Sequence, residues 1–398
     1  MRTAVIVSPV RTPVGLFGGV LRPVPVEDLA RTAVVEVLRR SGVDHGLVDD
    51  VVFAQSYANS ETPCVGRWVA LHAGLPLHVP GMQLDRRCGG GLQAIVTAAM
   101  QVQTGAADVV LAGGVESMSN IELYNTRLRW GARAGGIHLH DRLDRGRERA
   151  QPEWRHGRIS GMVETAENIA RKHAIGRDEA DAYAAESHRR AARAWESGSL
   201  AAEVVPVEVP RRHGPADLVG RDEGVRADCT PDSLAKLRAI MPDGVVTAGN
   251  ACQQNDAAAA CLVVAEEVAA REGLEPIARL VDWTAVGCDP ATMGLGPVPA
   301  VSKLFARTGL GFDDVDLIEL NEAFAVQVLG VMKEWGLKDR TRVNVNGGGI
   351  SLGHPIAATG VRLMVSLLHE LRRRGGGYGL ESMCIGGGQG MAALFATL

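Results

Sequence analysis

The segment Asp50-Val51-Val52-Phe53-Ala54 has a counterpart near the C-terminus, Asp316-Leu317-Ile318-Glu319-Leu320. Each is a short, mostly apolar run after an aspartate, which is typical of a buried strand. When the two segments are aligned, the same offset places Cys88 on His354. The sequence therefore predicts two related halves, in which Cys88 and His354 occupy equivalent strand-to-helix turns and face each other across a pseudo-twofold axis.

Apolar runs alternate with helical patterns on both sides of these segments. In the N-terminal part we predict a strand over Thr3–Ser8, and a helix over Gly91–Thr104 after Cys88. The C-terminal part repeats this order, with a strand over Arg342–Asn346 and a helix over Pro355–Arg373. Fully apolar strands between helices indicate an α/β protein whose sheet is covered on both faces.

The middle of the chain breaks this alternation. We predict an N-terminal half formed by residues 1–118 with 251–275, an inserted loop domain over residues 119–250, and a C-terminal half over residues 276–398. The insertion is rich in arginine between Arg127 and Arg158. These arginines fit a solvated loop or a subunit contact, or else a landing surface for an anionic ligand such as a nucleotide-bearing thioester.

Composition excludes several classes of function. Of the 398 residues, 46% are hydrophobic and 22% are charged, which is ordinary for a globular protein. The net charge of −4 gives no general attraction to nucleic acid, and no run of about 18 apolar residues predicts a membrane span. The seven cysteines are scattered without a CxxC pair, which argues against a disulfide framework and a zinc site. Free thiols fit a reducing compartment, so we predict a cytoplasmic protein.

Three glycine-rich segments each carry one reactive side chain. They are Asp85–Leu92 around Cys88, Asn344–Pro355 around His354, and Cys384–Gly390. Glycine lets main-chain N–H groups approach a ligand closely and lets the chain turn where other residues would be strained. Two thiols and one imidazole in such settings indicate acyl chemistry on a cysteine.

Together these segments resemble the thiolase family, the acetyl-CoA acetyltransferases and 3-ketoacyl-CoA thiolases. The resemblance covers essentially the whole chain and includes the motifs Arg11–Gly15, Gly113–Ser119, Thr247–Ala251 and Asn321–Ala325. It implies a thiolase-like five-layered αβαβα fold, with two pseudo-duplicated halves and an inserted loop domain that holds coenzyme A. It also implies a homodimer or homotetramer with acyl-CoA substrates, no permanently bound cofactor or metal, and no nucleic-acid or membrane partner.

The resemblance further implies a role for each catalytic residue. Cys88 would be the nucleophile that carries the acyl group, and His354 would take its proton. Cys384 would be the acid and base that serves the α-carbon. Gly386 would offer its backbone N–H, with that of Cys88, as one oxyanion hole. Asn321 would hold a water that forms the other oxyanion hole with His354, although a helix cap is a further role for this residue.

Coenzyme A contacts are implied in the same way. The resemblance assigns Arg226 to the adenine end, Cys252 to the pantetheine, and Met162, Met293 and Phe324 to the walls of the acyl and pantetheine pocket. Methionines adapt to irregular apolar ligands, but the two methionines are equally compatible with simple core packing.

Some positions depart from the family pattern. Cys252-Gln253-Gln254 stands where many biosynthetic members carry Ser-Gly-Leu, and Met241 stands where they carry Phe. Gly161-Met162-Val163-Glu164 replaces a His-Met-Gly-Thr-like run, and Asp85 and Gly90 replace an Asn and a Ser. The changed positions lie mainly near CoA and the acyl chain. They leave acyl length open between acetoacetyl-CoA and medium-chain 3-ketoacyl-CoA.

The predicted function is reversible thiolytic cleavage of a 3-ketoacyl-CoA with CoA, and Claisen condensation of acyl-CoAs, through a ping-pong route with an acyl group on Cys88. A decarboxylating ketosynthase would be expected to use Cys-His-His, whereas this chain has Cys384 at a reactive position. A non-catalytic acyl-CoA or lipid-binding relative would be expected to lack Cys88 or Cys384. Both cysteines are present, which favours a thiolase.

Overall fold

The computed structural model describes residues 2–398, in which strands and helices alternate at both ends of the chain. The strands are β1 (Ala4–Arg11), β2 (Gly15–Leu16), β3 (Asp50–Ala54), β4 (Met82–Leu84), β5 (Val109–Ser117), β6 (Leu123–Tyr124), β7 (His140–Asp141), β8 (Val207–Val209), β9 (Asp217–Val219), β10 (Asn255–Ala265), β11 (Pro276–Gly287), β12 (Leu317–Leu320), β13 (Tyr378–Ile385) and β14 (Gln389–Thr397).

The α-helices connect and cover these strands. They are α1 (Val26–Ser41), α2 (Val65–His72), α3 (Gly90–Thr104), α4 (Arg142–Glu148), α5 (Glu153–His156), α6 (Met162–His173), α7 (Arg177–Glu196), α8 (Pro231–Ala235), α9 (Glu266–Glu272), α10 (Pro297–Thr308), α11 (Ala325–Trp335) and α12 (Thr359–Arg373). In the part of the chain that the structure describes, none of them combines the length with the apolar character that crossing a bilayer demands.

The strands of both halves join into one ten-stranded sheet within residues 2–398. Its order is β12-β13-β14-β11-β1-β10-β5-β3-β4, and β2 pairs with β10. Outward from the central β1–β11 pair, each half makes two antiparallel pairs and then a parallel pair. Strands β3 and β12 hold equivalent places in this pattern. The predicted pseudo-duplication of the two halves is therefore confirmed.

Helices α3 and α12 pack directly on each other between the two halves. Most of their residues are buried. Their close approach requires glycine, since a Cβ at Gly91 would lie 2.7 Å from the Ala357 carbonyl oxygen, and a Cβ at Gly360 would overlap the Leu92 backbone nitrogen. Because α3 follows Cys88 and α12 follows His354, this packing brings the two equivalent turns together.

The predicted strand over Arg342–Asn346 is wrong. Val343 makes only a single parallel bridge to Ile318, and Asn344 has a left-handed φ of 48°. Backbone pairing is confined to Ile318, whose N–H donates to the Arg342 carbonyl at 2.8 Å and whose carbonyl accepts the Asn344 N–H at 2.9 Å, and the Asn344 side-chain amide pairs with Leu320. Its Oδ1 accepts from the Leu320 N–H at 2.8 Å, and its Nδ2 donates to the Leu320 carbonyl at 2.9 Å.

Two other differences concern the start of helix α12 and the presence of strand β10. The helix predicted over Pro355–Arg373 begins only at Thr359, because Pro355 has a non-helical ψ of 72° and a 3-10 turn follows it. Strand β10 was not predicted. It opens with Asn-Asp and four alanines, residues with weak strand preference, yet it is buried throughout and pairs with β1 and β5.

A buried ion-pair cluster ties β1 to the inserted segment. The fully buried Arg11 donates from Nε to Glu203 at 2.6 Å, and from Nη1 and Nη2 to Asp222 at 2.7 and 2.9 Å. Asp222 also accepts from the Val14 N–H and the Trp195 indole. The division into three domains at residues 118, 250 and 275 stays a prediction.

Candidate active site

A cavity of about 660 Å³ contains most of the predicted site residues in its wall. Eight of the ten line it: Cys88, His354, Cys384, Gly386, Cys252, Met162, Met293 and Phe324. Asn321 lies behind the wall, in contact with His354. Arg226 is exposed and does not line the cavity. The fold thus brings together residues that are separated by up to about 300 positions in the chain.

Cys88 lies in a strained turn between β4 and α3. The preceding residue, Arg87, has a φ of 49°, which costs a non-glycine residue about 1–3 kcal/mol. The Asp85 carboxylate accepts the Arg87 N–H at 2.6 Å and fixes this turn. Cys88 then stands in the 3-10 turn that leads into α3. This is the end of a helix where unpaired N–H groups favour a negative charge such as a thiolate.

The environment of the Cys88 sulfur has opposing effects on its ionisation. Burial raises the pKa of the Cys88 thiol. The backbone N–H of Gly386 acts in the other direction, as do the guanidinium groups of Arg87 and Arg147. A thiolate that forms here is stabilised by a fixed hydrogen-bond donor and by positive charge, which suits a nucleophile.

His354 is held on three sides. Its backbone N–H donates to Asn255 Oδ1 at 2.8 Å, and its Nδ1 lies 2.7 Å from the Thr359 hydroxyl. Its Nε2 lies 3.5 Å from Asn321 Nδ2. Burial, then the charges of Arg362 and Arg147, lower the pKa of the His354 imidazole to about 3. The ring is therefore neutral at physiological pH and available to accept a proton.

Cys384 and Gly386 stand at the end of β13, where the hairpin to β14 begins. Cys384 is buried and lies opposite Gly390 in the strand register. Burial raises the pKa of the Cys384 thiol well above its ordinary value, and the neighbouring thiols of Cys88, Cys252 and Cys288 raise it further. Cys384 is thus a protonated thiol at rest, and its thiolate would be a strong base.

The Asn321 side chain carries an unpartnered polar atom. The residue is fully buried, and its Oδ1 has no hydrogen-bond partner within residues 2–398, while its Nδ2 faces His354 Nε2. A buried carbonyl oxygen without a partner is costly unless it binds water or a ligand. Helix α11 begins at Ala325, and its N-cap is Phe324 rather than Asn321. The helix-cap alternative for Asn321 is therefore wrong.

Comparison with known proteins agrees with this arrangement. The profile of the thiolase N-terminal domain matches residues 4–267, and that of the thiolase C-terminal domain matches residues 274–397. The chain belongs to the thiolase family. The beta-ketothiolase BktB of Cupriavidus necator is 44% identical over 400 residues, which cover 100% of both chains. This thiolase is therefore an enzyme of the predicted class.

Solved thiolase structures share its fold. The structure of the Bacillus anthracis acetyl-CoA acetyltransferase has a TM-score of 0.96 and 42% identity, and covers 100% of this chain and 99% of that one. Human mitochondrial 3-ketoacyl-CoA thiolase in complex with CoA has a TM-score of 0.94 and 38% identity, and covers 100% of this chain and 98% of that one. The predicted thiolase fold is confirmed.

In this thiolase the residues that are expected to contact CoA differ from one another in burial and in hydrogen bonding. Cys252 donates its backbone N–H to the Ala323 carbonyl at 2.9 Å, and burial raises the pKa of its thiol to about 12. Met293 and Phe324 are buried in the core as well as lining the cavity, whereas Met162 is partly exposed. Arg226 is held through its backbone N–H, which donates to His188 Nδ1 at 3.2 Å. Its side chain is exposed outside the cavity.

No role is predicted from the sequence for two residues at or next to the site, Asn255 and Glu116. Asn255 lies at the start of the unpredicted strand β10, so its contact with His354 had no sequence signal. Glu116 is buried and accepts the backbone N–H groups of Ser56, Tyr57 and Ala357. Burial raises the pKa of the Glu116 carboxyl to about 7. The thiolase-like motif Gly113–Ser119 contains Glu116, and this was the one available signal.

Proposed function

We propose that this thiolase cleaves 3-ketoacyl-CoA with CoA, and condenses acyl-CoAs in the reverse direction, through an acyl group carried on Cys88. The observation that carries the proposal is that Cys88, His354, Cys384 and the Gly386 N–H meet in one cavity. A nucleophile, two proton-transfer groups and an oxyanion donor are the parts that this chemistry requires.

In the cleavage direction, the first half-reaction forms the acyl-enzyme. His354 Nε2 takes the Cys88 proton, and the thiolate attacks the C3 carbonyl carbon of the substrate. The Gly386 and Cys88 N–H groups stabilise the oxyanion on C3. The C2–C3 bond then breaks, and Cys384 gives its proton to C2. Acetyl-CoA leaves, and the remaining acyl group stays on Cys88.

The second half-reaction returns the enzyme to its starting state. The Cys384 thiolate takes the proton of an incoming CoA thiol, which attacks the acyl-enzyme carbonyl. The bond between the acyl carbon and the Cys88 sulfur breaks, and Cys88 recovers its proton from His354. Condensation runs the same steps backwards, with the Cys384 thiolate taking a proton from the methyl group of acetyl-CoA. The unpartnered Asn321 Oδ1 supports a water beside His354 that would stabilise the thioester enolate.

For CoA we propose that the pantetheine passes Met162, Cys252 and Phe324, and that the adenine end lies near Arg226. The cavity wall supports the first part, and the free, exposed Arg226 side chain supports the second. Acetoacetyl-CoA and medium-chain 3-ketoacyl-CoA both remain candidate substrates. No permanently bound cofactor is required for these steps.

We also propose that the chain forms a homodimer or homotetramer in a reducing, cytoplasmic compartment. All seven cysteines carry free thiols, which fits such a compartment. Large apolar side chains are exposed on the inserted segment, with Trp130 at 87% and Leu128 at 47% exposure. Exposed apolar patches of this kind mark interaction surfaces, so the loop over residues 125–136 is the proposed contact between dimers. Light scattering after gel filtration tests the assembly.

The activity is tested with acetoacetyl-CoA and free CoA, by following the loss of the 3-keto thioester. Cys88→Ala should abolish turnover and should yield no acyl adduct on the intact protein by mass spectrometry. Cys384→Ala should accept an acetyl group on Cys88 from acetyl-CoA more slowly than the native protein, because the leaving CoA sulfur has lost its proton donor, and should not complete cleavage. If the native protein cleaves neither acetoacetyl-CoA nor longer 3-ketoacyl-CoAs, the proposed function is wrong.

A further inference from the structure

Two arginine side chains line the catalytic cavity beside the nucleophile. Arg87 and Arg147 both belong to its wall, and Arg87 directly precedes Cys88 in the chain. Adjacent Cα atoms are about 3.8 Å apart, so the Arg87 side chain begins next to the residue that would carry the acyl group. The thiolase chemistry proposed above uses neither guanidinium directly. Both charges favour the Cys88 thiolate, but once the sulfur carries an acetyl or alkyl acyl group the guanidinium groups have no anion there to offset their desolvation.

The Arg87 guanidinium has no anionic partner in the protein. Within residues 2–398 its side-chain contacts are with Tyr57, whose hydroxyl accepts from Nη1 at 3.4 Å and whose ring centroid lies 5.7 Å from Cζ. The nearby Asp85 carboxylate accepts the Arg87 backbone N–H instead. Arg147 has one carboxylate nearby, that of the exposed Asp144 at 3.5 Å. At least one guanidinium at the cavity is therefore free to bind an anion.

The position of Arg87 is built into the surrounding structure. Tyr57 is buried, and its hydroxyl also donates to the Leu143 carbonyl at 3.4 Å. Gly146 stands inside helix α4, although glycine is about 1 kcal/mol worse than alanine there. A Cβ at Gly146 would lie 3.3 Å from the Tyr57 ring and 3.6 Å from Arg87 Nη1. The glycine thus leaves room for the stacked tyrosine and arginine.

The carboxylates of the same wall are occupied elsewhere. Glu164 accepts both the N–H and the hydroxyl of Ser160 at 2.7 Å, and Glu148 lies 4.0 Å from Arg158. The charged residues that act most strongly on the Cys88 thiol are Arg87 and Arg147, and both lower its pKa. At the Cys88 sulfur the charges of the wall therefore act mainly through these two guanidinium groups.

The positive charge continues beyond the cavity. Tyr57, Arg87 and Gly146 also line an adjoining groove, which contains Arg142, Arg145 and Arg149 together with Asp85 and Glu122. Arg142 is paired with Glu122 at 3.5 Å, and Arg145 contacts His140 rather than a carboxylate. An acyl chain that extends from Cys88 past Arg87 would meet further guanidinium groups.

We propose that Arg87, assisted by Arg147, selects 3-ketoacyl-CoA substrates whose acyl chain ends in a carboxylate. This rests on the proposed thiolase function and names its acyl group. A guanidinium can hold a carboxylate by two parallel hydrogen bonds, which gives both affinity and orientation. With a six-carbon substrate, Cys88 attacks C3, the C2–C3 bond breaks, and C2 takes the Cys384 proton to give acetyl-CoA. CoA then releases the four-carbon acyl group, which carries its free carboxylate, from Cys88.

The test compares 3-oxoadipyl-CoA with 3-oxohexanoyl-CoA, which has the same carbon count and no terminal charge. The measured quantity is the ratio of their kcat/KM values for thiolysis. The native protein should prefer 3-oxoadipyl-CoA. Arg87→Leu should lower the ratio by about tenfold or more, since a hydrogen bond to a charged group contributes about 1.5–3 kcal/mol. Arg87→Lys keeps the charge but cannot make the two parallel hydrogen bonds of a guanidinium. Its ratio of kcat/KM values should therefore fall between those of the native protein and Arg87→Leu.

Arg86→Leu is the matched control, because Arg86 is the neighbouring arginine and does not line the catalytic cavity. The ratio of the kcat/KM value for 3-oxoadipyl-CoA to that for 3-oxohexanoyl-CoA should be the same in Arg86→Leu as in the native protein. The proposal is overturned if the native protein prefers 3-oxohexanoyl-CoA, or if Arg87→Leu lowers both kcat/KM values equally. The latter result would assign Arg87 to thiolate stabilisation. Cleavage of acetoacetyl-CoA but of neither six-carbon substrate would also overturn the proposal, whereas failure with acetoacetyl-CoA as well would instead contradict the thiolase function itself.

Discussion

The Nδ1 atom of His354 lies 2.7 Å from the hydroxyl of Thr359, the first residue of helix α12. This contact fixes the imidazole plane and turns Nε2 toward Asn321 and the cavity. Because Thr359 belongs to α12, and α12 is packed on α3, the orientation of the base is set by the same helix pair that positions Cys88. The interface between the two halves thus acts as the support of the catalytic residues.

Thr359→Val should lower kcat for thiolysis by about tenfold to 100-fold, because groups that orient a functional histidine typically contribute this much. The valine keeps the shape of threonine but cannot bond Nδ1. Thr359→Ser retains the hydroxyl and should stay close to the native rate. Steady-state kinetics with acetoacetyl-CoA and a thermal melt of each variant make the measurement. Equal kcat values for Thr359→Val and the native protein would show that the contact has no role in catalysis.

The pH dependence of cleavage should show no histidine ionisation near neutrality. The His354 imidazole has a pKa of about 3, lowered by burial, so it is neutral and competent throughout pH 5–8. The Cys88 thiol has a raised pKa, so kcat/KM should rise with pH as thiolate forms more readily. The check is a profile of kcat/KM from pH 5 to 9. A limb with its midpoint near pH 6.5 that disappears in His354→Asn would contradict this assignment.

The identity of the three reactive residues could be predicted from sequence, because each of them lies in a short glycine-rich segment. Cys88, His354 and Cys384 line one cavity as predicted. The alignment of Asp50–Ala54 with Asp316–Leu320 also identified the correct relation between the halves, since a buried strand keeps its apolar pattern after duplication.

The supporting contacts could not be predicted from sequence. Asn255 reaches His354 from a strand whose alanines give no strand signal, and Asn344 pairs with Leu320 through its side-chain amide. Tyr57 meets Arg87 across 30 residues of chain, and nothing in either local sequence indicates the pair. Such contacts depend on the relative placement of elements, which a local pattern does not encode.

Asp222→Asn should strongly destabilise the protein. Asp222 binds two nitrogens of the buried Arg11, and removing one partner from a buried ion pair typically costs about 3–5 kcal/mol. Asp217→Asn is the control, since it removes an exposed ion pair with Arg211, and exposed pairs contribute about 0–1 kcal/mol. Urea unfolding at one fixed protein concentration measures both. Similar unfolding midpoints for the two variants would mean that the Arg11 cluster does not hold the insertion to β1.

Gly146→Ala separates helix stability from substrate choice. Alanine is favoured over glycine inside a helix by about 1 kcal/mol, so the variant should unfold at the same temperature as the native protein or higher. Its Cβ, however, would crowd the Tyr57 ring at 3.3 Å, and a shift of that ring would move the Arg87 guanidinium that lies over it. The preference for 3-oxoadipyl-CoA over 3-oxohexanoyl-CoA should therefore fall although the protein is no less stable.

The control for this prediction is Gly176→Ala, where an added Cβ has nothing within 4 Å. Its ratio of kcat/KM values should be that of the native protein. If Gly146→Ala and Gly176→Ala give the same ratio, the position of Arg87 does not depend on the space at Gly146. If Gly146→Ala alone lowers the ratio and Arg87→Leu removes any further effect of the alanine, then the two residues act on substrate choice through one contact, because their changes are not additive.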